Sequence, residues 1–289
     1  MPKVLVTGSR GFLGTAVCAQ LTARGYEVLP FDLVDGPDVT VESDLRPALE
    51  AADAVIHLAA PCSALMFTER PVESWQVTIR GMAHVLKYAR GRVVLASTCT
   101  LYGDSPLPVT EDHLLPAAPN LYAAGKLECE RMCFLSALTR GTDVKICRVF
   151  SGYGPGERFK GPYASPVMHF IRDLHAGRHP RIFGDGSQIR DFVYVTDVAA
   201  HLVAALETKS KEYLFNVGTG EGTSFLQMTN LIADLLGVPA NPDFVPPPPG
   251  YVANVVCDPT RSIRELGLKA ETTFPEGLAK MVEEVKPEL

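Results

Sequence analysis

The sequence contains no apolar run near the roughly 18 residues of a membrane-crossing helix, which excludes a helical membrane protein. It has no surplus of positive charge: 27 Lys and Arg stand against 33 Asp and Glu, a net charge of −6. A nucleic-acid binder needs a basic field to displace counterions, so that class is set aside. The seven cysteines (18, 62, 99, 129, 133, 147 and 257) form no CxxC pair and no Cys/His cluster of metal spacing. No metal site is therefore expected. Gly and Pro follow no repeat, and the shares of hydrophobic (46%) and charged (21%) residues are those of an ordinary folded chain. Met1-Pro2-Lys3 leads straight into Val4-Leu5-Val6, which leaves no room for an export signal. Together with the odd number of thiols, this predicts reduced cysteines in a cytoplasm. What is present is a chain of 289 residues, long enough for about two domains.

The first half alternates short apolar runs with helical stretches. Strands are expected at 3–7, 27–31, 54–58, 92–96 and 144–149, with helices at 14–24, 82–89 and 122–138. Such alternation implies right-handed crossovers and a parallel sheet covered on both faces. The second half is less regular. A Gly- and Pro-rich loop at 152–161 precedes a helix at 167–176, a short strand at 192–194, a helix at 197–207, a strand at 215–217 and an amphipathic helix at 224–236 capped by Ser224. The expected fold is α/β: a Rossmann-type doubly wound parallel sheet with a smaller α/β cap. Residues 1–150 form the dinucleotide-type domain, to which about 192–215 return; 151–191 and 216–289 form the cap.

Between the first strand and helix lies Thr7-Gly8-Ser9-Arg10-Gly11-Phe12-Leu13-Gly14. Gly8 permits the tight turn, Gly11 lets a pyrophosphate approach the backbone, and Gly14 lets the helix pack closely on the strand. The helix N-terminus then offers free N–H groups and a positive dipole end to the phosphates. Turns need glycine for their own sake, but here strand, turn and helix occur together. Asp32 ends the second strand, placed to accept hydrogen bonds from the adenosine ribose and to repel a 2′-phosphate, which favours NAD over NADP. Arg10 is a counter-signal, because a cation in the turn can meet a 2′-phosphate. Asp44 and Leu45 lie where an acid would meet the adenine amino group.

Tyr122 and Lys126 stand four apart, on one face of a helix. A phenol with a free pKa near ~10 is a poor base at neutral pH. A neighbouring ammonium and the positive nicotinamide of an oxidised cofactor would lower that value. Ser97-Thr98-Cys99-Thr100 directly follows a strand, and ligands of open α/β sheets bind beyond such strand ends. A Thr98 hydroxyl there can bond a substrate oxygen while Tyr122 removes its proton.

These motifs together resemble the extended short-chain dehydrogenase/reductases of the NAD-dependent epimerase/dehydratase family, whose typical members act on nucleotide sugars. The likeness is carried by Thr7–Gly14, His57-Leu58-Ala59-Ala60, Ser97–Gly103, the stretch from Glu111 into Tyr122-Ala-Ala-Gly-Lys126, Arg148–Gly156, and Gly184–Asp197 with its Arg190-Asp191-Phe192. The resemblance implies that Tyr122 is the acid/base, that Lys126 anchors the nicotinamide ribose, and that Thr98 is the hydroxyl partner. It implies that Leu58, Ala59 and Ala60 flank the cofactor, alongside Gly8, Arg10, Gly11, Phe12, Leu13 and Gly14. It places Thr98, Thr100, Tyr122, Ser151 and Arg190 on the substrate, with Arg190 meeting a phosphate. An ion pair of Arg190 with Asp191 or Asp197 is the structural alternative. Homodimerisation, partly through the 122–138 helix, is also implied.

The residues after Thr98 separate reactions within the family. The 4,6-dehydratases carry Asp-Glu there and the decarboxylases usually keep the Glu; this chain has Cys99-Thr100. Without that carboxylate, elimination lacks its usual base, so the resemblance implies C4 epimerisation of a nucleotide-diphosphate sugar with NAD recycled. Three alternatives stay open: a dehydratase using Cys99 as acid/base, an NAD(P)-dependent sugar or alcohol dehydrogenase-reductase, and a redox-sensing binding protein. The chain departs from the family pattern at Thr78 and Ser151, each in place of Asn, and at Pro248, in place of an Arg that holds the diphosphate.

Overall fold

The computed structural model describes residues 1–285. The chain opens with β1 (Lys3–Thr7), α1 (Phe12–Ala23), β2 (Glu27–Phe31), α2 (Glu42–Ala51) and β3 (Ala54–His57). Next come α3 (Ala64–Glu69), α4 (Pro71–Trp75), a π-helical turn at Gln76–Arg80, and α5 (Gly81–Tyr88). β4 (Val93–Thr98), α6 (Leu121–Arg140) and β5 (Val144–Val149) complete the first half. The second half holds β6 (Ser151–Tyr153), α7 (Pro166–His175), β7 (Arg181–Phe183), β8 (Ile189–Arg190), β9 (Phe192–Tyr194) and α8 (Val195–Glu207). It ends with β10 (Leu214–Val217), β11 (Thr223–Ser224), α9 (Phe225–Leu236), β12 (Asp243–Val245), α10 (Thr260–Leu266) and α11 (Phe274–Val285).

Six parallel strands form the main sheet in the order β10-β5-β4-β3-β1-β2. Their side chains alternate between two apolar layers. Val4, Val6, Val94 and Ala96 pack with Val17 and Leu21 of α1 and Val198 and Leu202 of α8. Leu5, Val93 and Leu95 pack on the other face with Leu45 and Leu49 of α2, Met82 and Val85 of α5, and Cys129 and Cys133 of α6. A strand buried on both faces must be apolar throughout, which is why β1 and β4 read as unbroken hydrophobic runs. Strand order reverses between β1 and β3, so the carboxyl ends of these strands open the crevice where such sheets bind ligands.

A third core gathers Tyr153, Phe192 and Tyr194 with α7, α9 and α11. Its strands pair in twos, β6 with β9, β7 with β12, and β8 with β11. Ser224 and Gln227 cap α9 reciprocally. The strand expected at 215–217 starts at Leu214 and lies in the main sheet beside β5, so Asn216 and Val217 belong to that sheet rather than beyond a boundary at 215. α10 packs on β10 as well.

Candidate active site

The turn from β1 to α1 is built so closely that side chains would not fit. A Cβ on Gly14 would lie 1.9 Å from the Gly8 carbonyl oxygen, and one on Gly8 would lie 2.9 Å from the Ala59 nitrogen. Gly8 also has φ +73°, a conformation L side chains rarely adopt. Gly11 is exposed, meeting only the Gly8 oxygen. α1 begins with no side-chain cap, so its first N–H groups are left for an anion. Ser9 Oγ is buried beside them without a partner. This cradle fits a dinucleotide pyrophosphate.

The segment Leu58-Ala59-Ala60 is held against the turn by Thr7. The Thr7 hydroxyl accepts from the N–H groups of Leu58 (3.2 Å) and Ala59 (3.3 Å). Its own proton is then directed to His57 Nδ1, 2.7 Å away. That nitrogen must be unprotonated, and burial, with Lys126 nearby, holds the His57 pKa down at about 3. The sign of the linkage follows. An unfolded chain protonates this imidazole near ~6.5, a folded one only near about 3, so the contribution is present above ~6.5 and is lost as pH falls towards 3. The unfolding free energy should drop by roughly 2 kcal/mol between pH 6.5 and 5 from this group alone. Burial depresses His201 in the same direction, which adds to the slope. Urea denaturation across that window checks this; a flat profile refutes it.

At the end of β2, the Arg10 N–H donates to Asp32 Oδ2 at 2.9 Å, and the Val34 N–H to Asp32 Oδ1 at 3.1 Å. The Arg10 guanidinium makes a two-pronged pair with Asp35. Asp44 accepts from the Asp38 N–H and Leu45 is fully buried under the sheet, so Leu45 is a core residue whose side chain does not reach a ligand.

The reactive groups converge at the carboxyl end of β4. Thr98 Oγ1 lies 3.0 Å from Thr100 Oγ1 and accepts from the Thr100 N–H at 3.2 Å. It also lies beside the Tyr122 phenol and favours its anion. Asn120 caps α6 through the Ala123 N–H, which fixes where Tyr122 begins the helix. Phe67 packs edge-on against the Tyr122 ring, centroids 5.8 Å apart, and a Cβ on Gly125 would meet that Phe67 ring at 3.2 Å. Lys126 Nζ donates to the Ala96 carbonyl at 2.9 Å, which leaves two N–H donors for ribose hydroxyls.

Burial dominates the electrostatics of the reactive groups. Burial pushes the Tyr122 phenol above its ordinary value, and burial lowers Lys126. Against the burial, the Thr98 hydroxyl favours the phenolate. Burial also pushes the Cys99 thiol up to about 12, so it is a neutral, buried side chain at physiological pH rather than a base.

Arg190 is held by main-chain carbonyls. Its Nη1 donates to the Ile189 (3.1 Å) and Ala253 carbonyls and its Nη2 to the Val252 carbonyl, while its guanidinium stacks near Phe225 (5.7 Å) and Tyr251 (5.3 Å). It pairs with neither Asp191 nor Asp197. Asp191 instead accepts from Thr219, Gly220 and Cys257, and Asp197 from the Thr272 N–H. Tyr251 and Phe183 meet edge-on beside a cavity of about 280 Å³ that His169, Asp173, Arg181 and Phe225 also line. Ser151 lies in β6, its N–H on the Asp191 carbonyl. Thr78 sits in the π-helical turn, its hydroxyl buried without a partner and its carbonyl accepting from Cys129.

Sequence reasoning placed Thr7 and His57 in motifs without giving them roles, and it missed Asp35. Asp35 had one signal, its spacing of three from Asp32. Among the described residues no group of His, Cys, Asp and Glu could hold a metal ion, and no helix is long and apolar enough to cross a membrane.

A glycine cradle at the β1–β3 crevice, with a Thr–Tyr–Lys set at the next strand end, defines a dinucleotide-dependent enzyme of the short-chain dehydrogenase/reductase type. Residues 4–218 match the NAD dependent epimerase/dehydratase family, and the chain belongs to it. It is 31% identical to the UDP-glucose 4-epimerase of Mycolicibacterium smegmatis, with 97% of each chain covered. Among solved structures it is similar to the UDP-glucose 4-epimerase of Thermotoga maritima with UDP-glucose, at 28% identity, TM-score 0.92 and 99% of each chain. It is also similar to the UDP-glucuronic acid 4-epimerase of Bacillus cereus in complex with UDP-glucuronic acid and NAD, at 25% identity and TM-score 0.89, covering 99% of this chain and 100% of that one.

Proposed function

We propose that the chain is an NAD-dependent nucleotide-sugar 4-epimerase. The observation that carries this is the Thr98–Tyr122–Lys126 set with no carboxylate among its hydrogen-bond partners in the described residues. An elimination or decarboxylation in this site has no base at positions 99 and 100, where a neutral thiol and a hydroxyl stand. Epimerisation needs none.

Tyr122 takes the proton of the sugar 4-hydroxyl, while Thr98 holds that oxygen. NAD, which the glycine cradle and Lys126 would hold, would supply a reversible hydride acceptor for C4, with no net redox change. Lys126, fixed on the Ala96 carbonyl, holds the nicotinamide ribose and keeps positive charge close to the phenol. The sugar ketone then presents its other face, and Tyr122 gives the proton back to O4. The cap core built on α7, α9 and α11 supplies the substrate wall, and the cavity beside Phe183 and Tyr251 takes the nucleotide moiety. Arg190 serves that wall by fixing Val252 and Ala253.

A panel of UDP-, dTDP-, GDP- and CDP-sugars, incubated without added cofactor, tests the reading. An isomer of unchanged mass is expected. Loss of water, or turnover only with added NAD(P)(H), overturns it.

The reading includes a cytoplasmic homodimer. The seven free thiols fit a reducing compartment. α6 leaves Phe134, Leu135 and Leu138 exposed at 46, 54 and 71%, an apolar strip suited to a second copy. Light scattering should give twice 31.3 kDa; a monomer at micromolar concentration refutes the dimer.

A further inference from the structure

The glycine turn contains one cation, Arg10, which on sequence grounds argued against a preference for NAD. The fold disposes of that cation. Asp35 closes a single 3-10 turn, Leu33–Asp35, that Asp32 itself caps. The turn brings the Asp35 carboxylate back onto the glycine loop, where Oδ2 accepts from Arg10 Nε at 2.9 Å and Oδ1 from Arg10 Nη2 at 3.1 Å. The Arg10 N–H meanwhile donates to Asp32. One guanidinium thus sits among two carboxylates, and the local charge sums to −1.

We propose that Asp35 is a specificity-determining residue for the cofactor: by occupying the planar fork of Arg10, it withholds from a 2′-phosphate the turn's single cation. Asp32 accepts hydrogen bonds from ribose hydroxyls and repels a 2′-phosphate. A free Arg10 beside it would offset that repulsion, because a guanidinium fork matches phosphate geometry as well as it matches a carboxylate. Asp35 removes the offset. The pair is exposed, with side chains 61% and 41% accessible, so it contributes little to stability. Breaking it changes recognition and leaves the fold intact.

The inference rests on the NAD reading of the glycine turn, and one experiment separates the two. Calorimetric titration of the full chain, first freed of any bound dinucleotide, with NAD+ and with NADP+ gives the affinity ratio for wild type, Asp35→Ala, and Asp35→Ala combined with Arg10→Met. Asp35→Ala should shift the ratio towards NADP+ by about tenfold, the worth of one charged hydrogen-bonding contact. Adding Arg10→Met should return the ratio to near the wild-type value. A ratio in Asp35→Ala within twofold of wild type overturns the proposal, as does a gain that persists without Arg10. Wild-type chain that binds NAD+ while the ratio stays unmoved sinks only the role of Asp35. Wild-type chain that binds neither dinucleotide sinks the cofactor reading along with it.

Discussion

Tyr122→Phe should lower epimerase turnover by about 10³-fold or more, within the range lost with a positioned acid/base. KM for the sugar nucleotide should move little, because the phenyl ring keeps its edge-on packing against Phe67. Among the described residues, the Tyr122 phenol is the titratable group whose anion the Thr98 hydroxyl favours. Lys126 donates to Ala96 and is a cation holder rather than a base. Cys99 is a neutral thiol at 7% exposure, so Cys99→Ser should retain turnover within about twofold in the same assay. The contrast between these two variants decides the mechanism. A Tyr122→Phe enzyme within tenfold of wild type would sink the proposed proton transfer, and a large loss in Cys99→Ser would restore the thiol to the chemistry. Thr98→Val belongs to the same series, since it deletes the hydroxyl that favours the phenolate.

The glycine cradle and the Tyr/Lys helix were legible because both are local. Gly8 is demanded by a positive φ and Gly14 by a 1.9 Å clash, constraints visible within eight consecutive residues. Tyr122 and Lys126 share a helix face by spacing alone. β1, β3 and β4 were legible because a parallel strand covered on both faces shows as a continuous apolar run.

What escaped was set by contacts between distant segments. Arg190 looks like a phosphate ligand in its own motif, but its fate is decided by carbonyls more than 60 positions later in the chain. Leu45 follows Asp44, an acid expected at the adenine, yet its helix turns it under the sheet into the α2–α5 layer. Apart from the strand read at 192–194, the cap strands have two or three residues each, too short for any alternation to register. The π-helical turn at Gln76–Arg80 leaves no mark in a pattern of apolar spacing. Asp35 reads as an ordinary acid of a loop until the 3-10 turn carries it back to Arg10.

Glu130 and Arg148 show the same dependence at greater energetic consequence. Glu130 lies one helical turn beyond Lys126 on α6, and Arg148 is on β5. Their side chains are 8% and 5% exposed and pair at 2.7 and 3.0 Å, with Ser97 Oγ donating to the same carboxylate at 2.5 Å. The guanidinium also covers the Tyr102 ring at 4.9 Å, and the Tyr102 hydroxyl donates to Asn216 of β10. The pair therefore ties the catalytic helix to three adjacent strands, next to Thr98. Removing one partner strands a charge in the interior. Glu130→Leu and Arg148→Met should each cost about 3–5 kcal/mol of unfolding free energy. Replacing both leaves no uncompensated charge, so the double variant should be less destabilised than the sum of the singles, and can match the milder of them. Urea denaturation of the four proteins measures this cycle. Single variants within 1 kcal/mol of wild type on this ~1 kcal/mol scale of ordinary substitutions would show that the pair is dispensable. Strict additivity would show that the two side chains act separately. The expected coupling instead gives α6 its fixed seat, and with it the position from which the Tyr122 phenol meets Thr98.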